Sequence, residues 1–336
     1  MQRSFIAIAL TAASVIALSG CSSAAPAKST DGTVQIVAST NVYGSLAAVI
    51  GGDRVTVTSL IDSTAKDPHS YEATARDRLA VQRADLVIEN GGGYDSFMTQ
   101  LRDGSDAEVI TAAEFAHDHP DAAEGEDHDH EAEADHGHDH DAEDDHDHGA
   151  GHGHDEHGHS HIEGFNEHVW FDPDIIAHVA ERVTADLTEL DPAGGTEFAA
   201  NAKALTAELD AIDTEIAALH GSLEGVPVLI TEPLPGRLAA AVGLDDVTPE
   251  GFASAVEEGN DVAPATLLDA LSLIDGGEVR AVLANAQTGG SETSRVEDAA
   301  QQAGIPVITF SELLEPEQSY AEWMRVAISD LAALEK

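Results

Sequence analysis

One apolar stripe runs unbroken through Phe198, Ala202, Leu205, Leu209, Ile212, Ile216 and Leu219, at alternating spacings of four and three residues. That spacing keeps a single face of an α-helix apolar. It predicts a helix of roughly 25 residues, about 35–40 Å long at about 1.5 Å per residue. Few single domains need so long a rod, whereas a stiff spine between two lobes does. An ordinary long packing helix is the plainer alternative. The chain has 336 residues, enough for two lobes that each bury a core.

Strand and helix patterns alternate on both sides of this spine. Before it, residues 34–38, 54–61, 85–89 and 108–111 read as strands. Between them lie a helix through Leu46, Val49 and Ile50, one over 74–83 with Leu79 and Ala80 inward, and one over 95–101. Asp172-Pro173 opens another helix, the acid as cap and the proline in the first turn, with Ile175, Val179, Val183 and Leu187 as its apolar face. After the spine, 226–231, 279–284 and 305–310 read as strands, and 238–242, 267–274, 292–303 and 320–334 as helices. The expected fold is therefore α/β: two lobes with parallel sheets flanked by helices, joined by a long rigid linking helix. The expected boundaries are a leader at 1–21, a tether at 22–32, a first lobe at 33–195, the linking helix at 196–222 and a second lobe at 223–336.

Open parallel sheets bind ligands just beyond the carboxyl ends of their strands. Side chains able to hold a metal stand at such places. His69 follows the second strand in Asp67-Pro68-His69-Ser70-Tyr71, Glu232 follows the strand over 226–231, and Glu312 follows the strand over 305–310. His168 lies in Asn166-Glu167-His168-Val169-Trp170-Phe171, ahead of the Asp172 helix. Two candidates come from each half, as a cleft between lobes requires. Two neutral imidazoles and two carboxylates balance a divalent charge; imidazole favours zinc and carboxylate also suits manganese. Four protein ligands close the coordination sphere, which suits a carrier, because metal catalysis keeps a position open for water or substrate. Each residue also has a plainer role: His69 as a turn cap, His168 as a satisfied core histidine, Glu232 and Glu312 as helix caps. His178 and His220 are given no role.

The N-terminus carries Arg3, an apolar run over residues 5–18 and then Leu18-Ser19-Gly20-Cys21. The run is short for a membrane span and has the form of a signal-peptide core. Small residues before a cysteine fit a bacterial lipobox, with Cys21 as the lipidation site; a plain secretory signal is the alternative. Cys21 is the single cysteine, which excludes an intramolecular disulfide and a thiolate metal cluster. The mature chain is expected on the outer face of the cytoplasmic membrane, held there by lipid alone, as a monomer. A formal charge of -48 argues against nucleic acid and suits attraction of cations. Aromatics at 4% are too few for stacked sugar or base recognition.

Residues 117–161 are nearly all His, Asp, Glu, Gly and Ala, without Lys or Arg. All of the 18 histidines except His69, His168, His178 and His220 fall there, which marks the segment as one insert. Such a composition cannot bury apolar surface and is expected to be disordered. Its repeating unit is His-x-His: His128 and His130, then His136, His138 and His140, His146 and His148, His152 and His154, and His157, His159 and His161. These pairs are candidate auxiliary metal ligands.

The chain resembles the cluster A-I substrate-binding proteins of zinc and manganese ABC importers. The likeness rests on Ala38-Ser39-Thr40-Asn41-Val42-Tyr43-Gly44, Asp67-Pro68-His69-Ser70-Tyr71-Glu72, Ala84-Asp85-Leu86-Val87-Ile88-Glu89-Asn90-Gly91, Glu167-His168-Val169-Trp170-Phe171-Asp172-Pro173, and the acidic His-rich insert. It implies a receptor, not an enzyme, that binds an ion between two lobes joined by a rigid helix and delivers it to a membrane permease. His69 and His168 match the family's two histidines from the first lobe. The third ligand is usually His in zinc members and Glu in manganese or iron members; here it is Glu232, with Gly236 four residues on. The fourth is usually Asp; here Glu312 stands there. The insert is typical of zinc members, so zinc is the expected ion and manganese the alternative.

Three other functions compete: a surface metal buffer with the insert as its working part, a metallohydrolase, and an adhesin. The sequence has no His-Glu-x-x-His, no serine nucleophile elbow and no phosphate loop in strand–helix context. The glycines at 91–93 follow a strand but lack dinucleotide-binding spacing.

Overall fold

The computed structural model describes residues 32–66, 68–120, 162 and 164–335. Cys21, the leader, the tether up to Asp31 and the insert histidines from His128 to His161 lie outside these residues.

The first lobe alternates β1 (Val34–Thr40), α1 (Asn41–Gly51), β2 (Val55–Ile61), α2 (Ala75–Val81), β3 (Leu86–Glu89), α3 (Phe97–Arg102) and β4 (Glu108–Thr111). Its sheet has the order β2-β1-β3-β4, all parallel, with Val37 opposite Thr58 on one side and Val87 on the other. Every residue of β3 is buried, as expected of a strand covered on both faces; the edge strand β2 exposes alternate residues. Helix α4 (Pro173–Leu190) follows, and the Asp172 carboxylate accepts the N–H groups of Asp174 and Ile175 at its start.

Helix α5 (Gly195–Leu223) is the spine, 29 residues long. Its buried side chains are Phe198, Leu205, Leu209, Ile212, Ile216, Leu219 and Leu223. The stripe read from the sequence is thus the face that packs on α4 and α1.

Beyond it come β5 (Pro227–Ile230), α6 (Gly236–Ala241), β6 (Asp245–Asp246), α7 (Phe252–Glu257), α8 (Pro264–Asp275), β7 (Ala281–Asn285), α9 (Ser291–Ala303), β8 (Val307–Phe310) and α10 (Tyr320–Ala332). The second sheet, β6-β5-β7-β8, is also parallel and repeats the order of the first. Two α/β lobes with parallel sheets, bridged by a long helix, are what the pattern predicts. The last helix returns to the spine. It starts with a reciprocal cap between Ser319 and Glu322, and Arg325 pairs with Glu215 of α5 at 3.1 Å. One apolar cluster runs through α1, α4, α5, β5 and α10, so the two lobes share core.

One detail differs from the sequence reading. Leu79 is 45% exposed, and Val81 fills the place expected of it. Helix α2 is only 7 residues long and touches its core cluster through Ala80 and Val81, so Leu79 rotates outward. Among the described residues no helix is long and apolar enough to cross a membrane.

Candidate metal centre

The carboxyl ends of the two sheets face each other, and the site forms where they meet. Its first-lobe side chains are His69, in the loop after β2, and His168, one residue ahead of a short 3-10 turn, Val169–Phe171. The second lobe supplies Glu232, two residues after β5, and Glu312, two residues after β8. All four expected residues are buried, His69 at 6% exposed and His168, Glu232 and Glu312 at 0%; the first three converge, while Glu312 stands outside that trio and reaches it through His69.

Glu232 Oε1 is the centre of the arrangement. It lies 3.4 Å from His168 Nε2 and 3.7 Å from His69 Nε2. Glu312 Oε2 lies 3.7 Å from the same His69 nitrogen. Ligand atoms of His69, His168 and Glu232 all fall within 4.8 Å of one another. A tetrahedral zinc ion with bonds of about 2.0–2.2 Å sets its donors about 3.3–3.6 Å apart, so this spacing needs only a small contraction. Neither Glu232 Oε1 nor His168 Nε2 makes a hydrogen bond. Burying these two atoms with only each other within reach, at 3.4 Å, is costly, and a cation between them lowers that cost.

The supporting contacts aim each ligand. Asn166 Oδ1 lies 3.0 Å from His168 Nδ1 and also accepts the His168 backbone N–H at 3.0 Å. With Nδ1 engaged, Nε2 faces the site, the usual arrangement for a metal-binding histidine. Asn166 Nδ2 donates to the Pro233 carbonyl across the lobes at 2.9 Å. Tyr94 donates its hydroxyl to Glu312 Oε2 at 2.7 Å, and its ring meets those of His69 and His168 edge to face. Asn285, the last residue of β7, donates to Glu232 Oε2 at 3.0 Å and Glu312 Oε1 at 2.7 Å.

Tyr94 reaches the site because the chain turns sharply after β3. Gly91, Gly92 and Gly93 all have positive φ, at 75°, 66° and 105°, and a side chain on Gly92 would come within 2.7 Å of Phe165. The Asp95 carboxylate ties the turn down by accepting the N–H groups of Asn90 and Gly91.

Charge follows geometry. Burial alone would lower the pKa of the His168 imidazole, but Glu232, joined by Glu167 and Glu312, outweighs burial and pushes it up to about 9. Burial raises Glu232, and His168, His69 and the Leu234 N–H together more than reverse this, so the carboxyl is held below its usual range. Burial pushes Glu312 up. Without a metal, the proton on His168 balances part of the acidic charge.

Two carboxylates and two imidazoles, buried together and contributed by both lobes, have the donor set of an ion site. Residues 36–334 match the family described as "ZnuA: Zinc-uptake complex component A periplasmic". The chain belongs to this family. Its members are metal-binding receptors of ABC importers that work outside the cytoplasm, and they are not enzymes. The chain is 25% identical over 242 residues to the manganese-binding lipoprotein MntA of Halalkalibacterium halodurans, covering 69% of this chain and 67% of that protein. It is 24% identical over 217 residues to MntA of Bacillus subtilis, covering 63% of this chain and 58% of that one. Among solved structures, the periplasmic zinc-binding protein TroA from Treponema pallidum superposes with a TM-score of 0.67 at 18% identity, over 90% of this chain and 99% of that one. The last comparison speaks to the fold alone.

Asn285, Tyr94 and the Asn166 anchor are absent from the residues chosen by sequence. Asn285 ends strand β7, but an amide is a poor metal ligand, so its residue type does not mark it. His178 is exposed on α4 and His220 bonds the Ala241 carbonyl; both lie outside the site.

Proposed function

We propose that the chain binds one zinc ion through His69 Nε2, His168 Nε2, Glu232 Oε1 and Glu312 Oε2 and delivers it to an ABC permease. The observation that carries this reading is Glu232 Oε1: fully buried, without a hydrogen bond, and set at near-tetrahedral spacing from two imidazole nitrogens. Cys21 would hold the mature protein to the outer face of the membrane, as a monomer. Metal analysis of protein purified without added metal, together with calorimetry on a form lacking residues 121–160, tests the reading. One tight zinc per chain is expected, lost in His69→Ala combined with His168→Ala. A form that binds no zinc one to one would overturn it.

Manganese is the second reading. It is favoured by Glu in place of the usual third histidine and by the names of the two relatives. A tighter fit for manganese than for zinc in competition would select it.

A further inference from the structure

The two carboxylates of the site share one donor. Asn285 Nδ2 serves Glu312 Oε1 and Glu232 Oε2 together. An amide nitrogen carries two N–H bonds, so both are used, one on each carboxylate. The amide's orientation is fixed from its other side: Asn285 Oδ1 accepts the Gln287 backbone N–H at 2.8 Å, so nitrogen and not oxygen faces the acids. The side chain of Gln287 holds the same loop by accepting the Glu312 backbone N–H at 3.0 Å and donating to Ser311 Oγ at 3.1 Å. Glu232 Oε2 takes a further N–H from Leu234 at 3.0 Å. One oxygen of each acid is thus drawn away from the histidines. The oxygens left forward are Glu232 Oε1 and Glu312 Oε2, the two atoms that lie 3.7 Å from His69 Nε2.

We infer that Asn285 sets the metal preference of the site by holding each carboxylate to a single coordinating oxygen, an inference that rests on the four-ligand reading above. One oxygen from each acid and one nitrogen from each histidine make four donors, the number and mix that suit tetrahedral zinc. An ion that prefers six oxygen-rich donors, such as manganese(II), would need the acids to turn bidentate. In this site that turn breaks both Asn285 bonds and leaves a buried amide unsatisfied. Asn285 also keeps two acidic side chains close without adding charge. With neutral histidines, a divalent ion then brings the site to neutrality, whereas a lysine at this position would oppose the ion. Asn285 acts through the ligands and is a positioning residue.

The test uses the full chain with cobalt(II) as the probe, added at one equivalent. Four-coordinate cobalt(II) absorbs visible light far more strongly than the five- or six-coordinate ion. The spectrum of the chain carrying both His69→Ala and His168→Ala is subtracted to remove ion held elsewhere. Wild type should give the intense four-coordinate bands. Asn285→Ala and the equally sized Asn285→Asp should both weaken them. Both should also narrow the ratio of zinc to manganese affinity, measured by chelator competition, by about tenfold or more. A weak, six-coordinate spectrum in wild type overturns the inference, and needs no variant to be seen. So does an unchanged spectrum and ratio in both Asn285 variants while wild type still binds one ion tightly. A spectrum that the double histidine substitution leaves untouched removes the four-ligand site itself.

Discussion

Asn41 and Leu314 exchange two hydrogen bonds across the lobes: the Asn41 amide donates to the Leu314 carbonyl at 2.8 Å and accepts the Leu314 N–H at 3.1 Å. Asn41 opens α1 at the carboxyl end of β1, and Leu314 lies two residues beyond Glu312. The pair therefore ties the two lobes together two residues along the chain from Glu312. Tyr320 adds a third link from the second lobe, donating to the Trp170 carbonyl at 2.8 Å.

Removing the Asn41 links should speed metal release more than it alters the ligands. Asn41→Ala is expected to raise the zinc dissociation rate by roughly tenfold, the effect of losing about 1–1.5 kcal/mol of net hydrogen bonding from the closed form. The cobalt spectrum should stay as in wild type, because no ligand or ligand support is touched. Stopped-flow release into a strong chelator measures the rate.

The ligand variants should fall in order of what each atom does. Glu232 Oε1 contacts both histidines and has no hydrogen bond, so Glu232→Gln should weaken zinc binding most, by well over about 100-fold, or more than about 2.7 kcal/mol. His168→Ala and His69→Ala should each cost over about tenfold. Tyr94→Phe keeps the ring packing and removes only the bond to Glu312, so a loss of about 10-fold is expected, typical of a group that orients a ligand. Isothermal calorimetry with a competing chelator ranks them.

Much of this arrangement was legible in the sequence. The spine could be read because seven residues repeat a helical period, and those that are buried form its packing face. The four candidate ligands could be read because each is a ligand type placed next to a strand end. What escaped has a physical reason in each case. β6 is two residues of aspartate, with no apolar signature, and α7 buries only Phe252. Leu79 looked inward because it is apolar, but a helix of two turns has too little face to bury both it and Val81. Tyr94 could not be placed because three successive positive-φ glycines steer it, and sequence marks the turn without giving its direction. Asn285 escaped because its role exists only once β5, β7 and β8 set two acids on either side of it.

The insert makes a prediction from spacing alone. Its His-x-His pairs offer two imidazoles to one ion, and neighbouring Asp and Glu raise the local cation concentration. Each pair would bind weakly, because the chain must be ordered to form it. Several on one tether would still raise the effective concentration of ion near the main site. Zinc titration of the full chain should therefore show several weaker ions beyond the first, absent once residues 121–160 are removed. Growth of cells carrying the deletion should suffer mainly when zinc is scarce. Equal zinc counts in the two forms would leave the insert a solubilising segment.

Metal binding should release a proton, and over a wider pH range than an ordinary histidine allows. An imidazole must lose its proton before Nε2 can coordinate. Glu232, with Glu167 and Glu312, outweighs burial and holds the His168 proton up to about 9, so at pH 7 the metal-free protein is expected still to carry it. Below that pKa every zinc ion bound must displace this proton. Affinity should thus rise by about tenfold for each pH unit, and level off near pH 9. An unperturbed histidine, with a pKa of about 6.5, would level off by roughly pH 7. Calorimetry at pH 7.5 in buffers of different ionisation enthalpy separates the two: about one proton released per zinc is expected. Glu232→Gln removes the charge that holds the proton, so its remaining zinc binding should level off at lower pH. Zinc uptake without proton release at pH 7.5 would mean that His168 is already neutral beside Glu232.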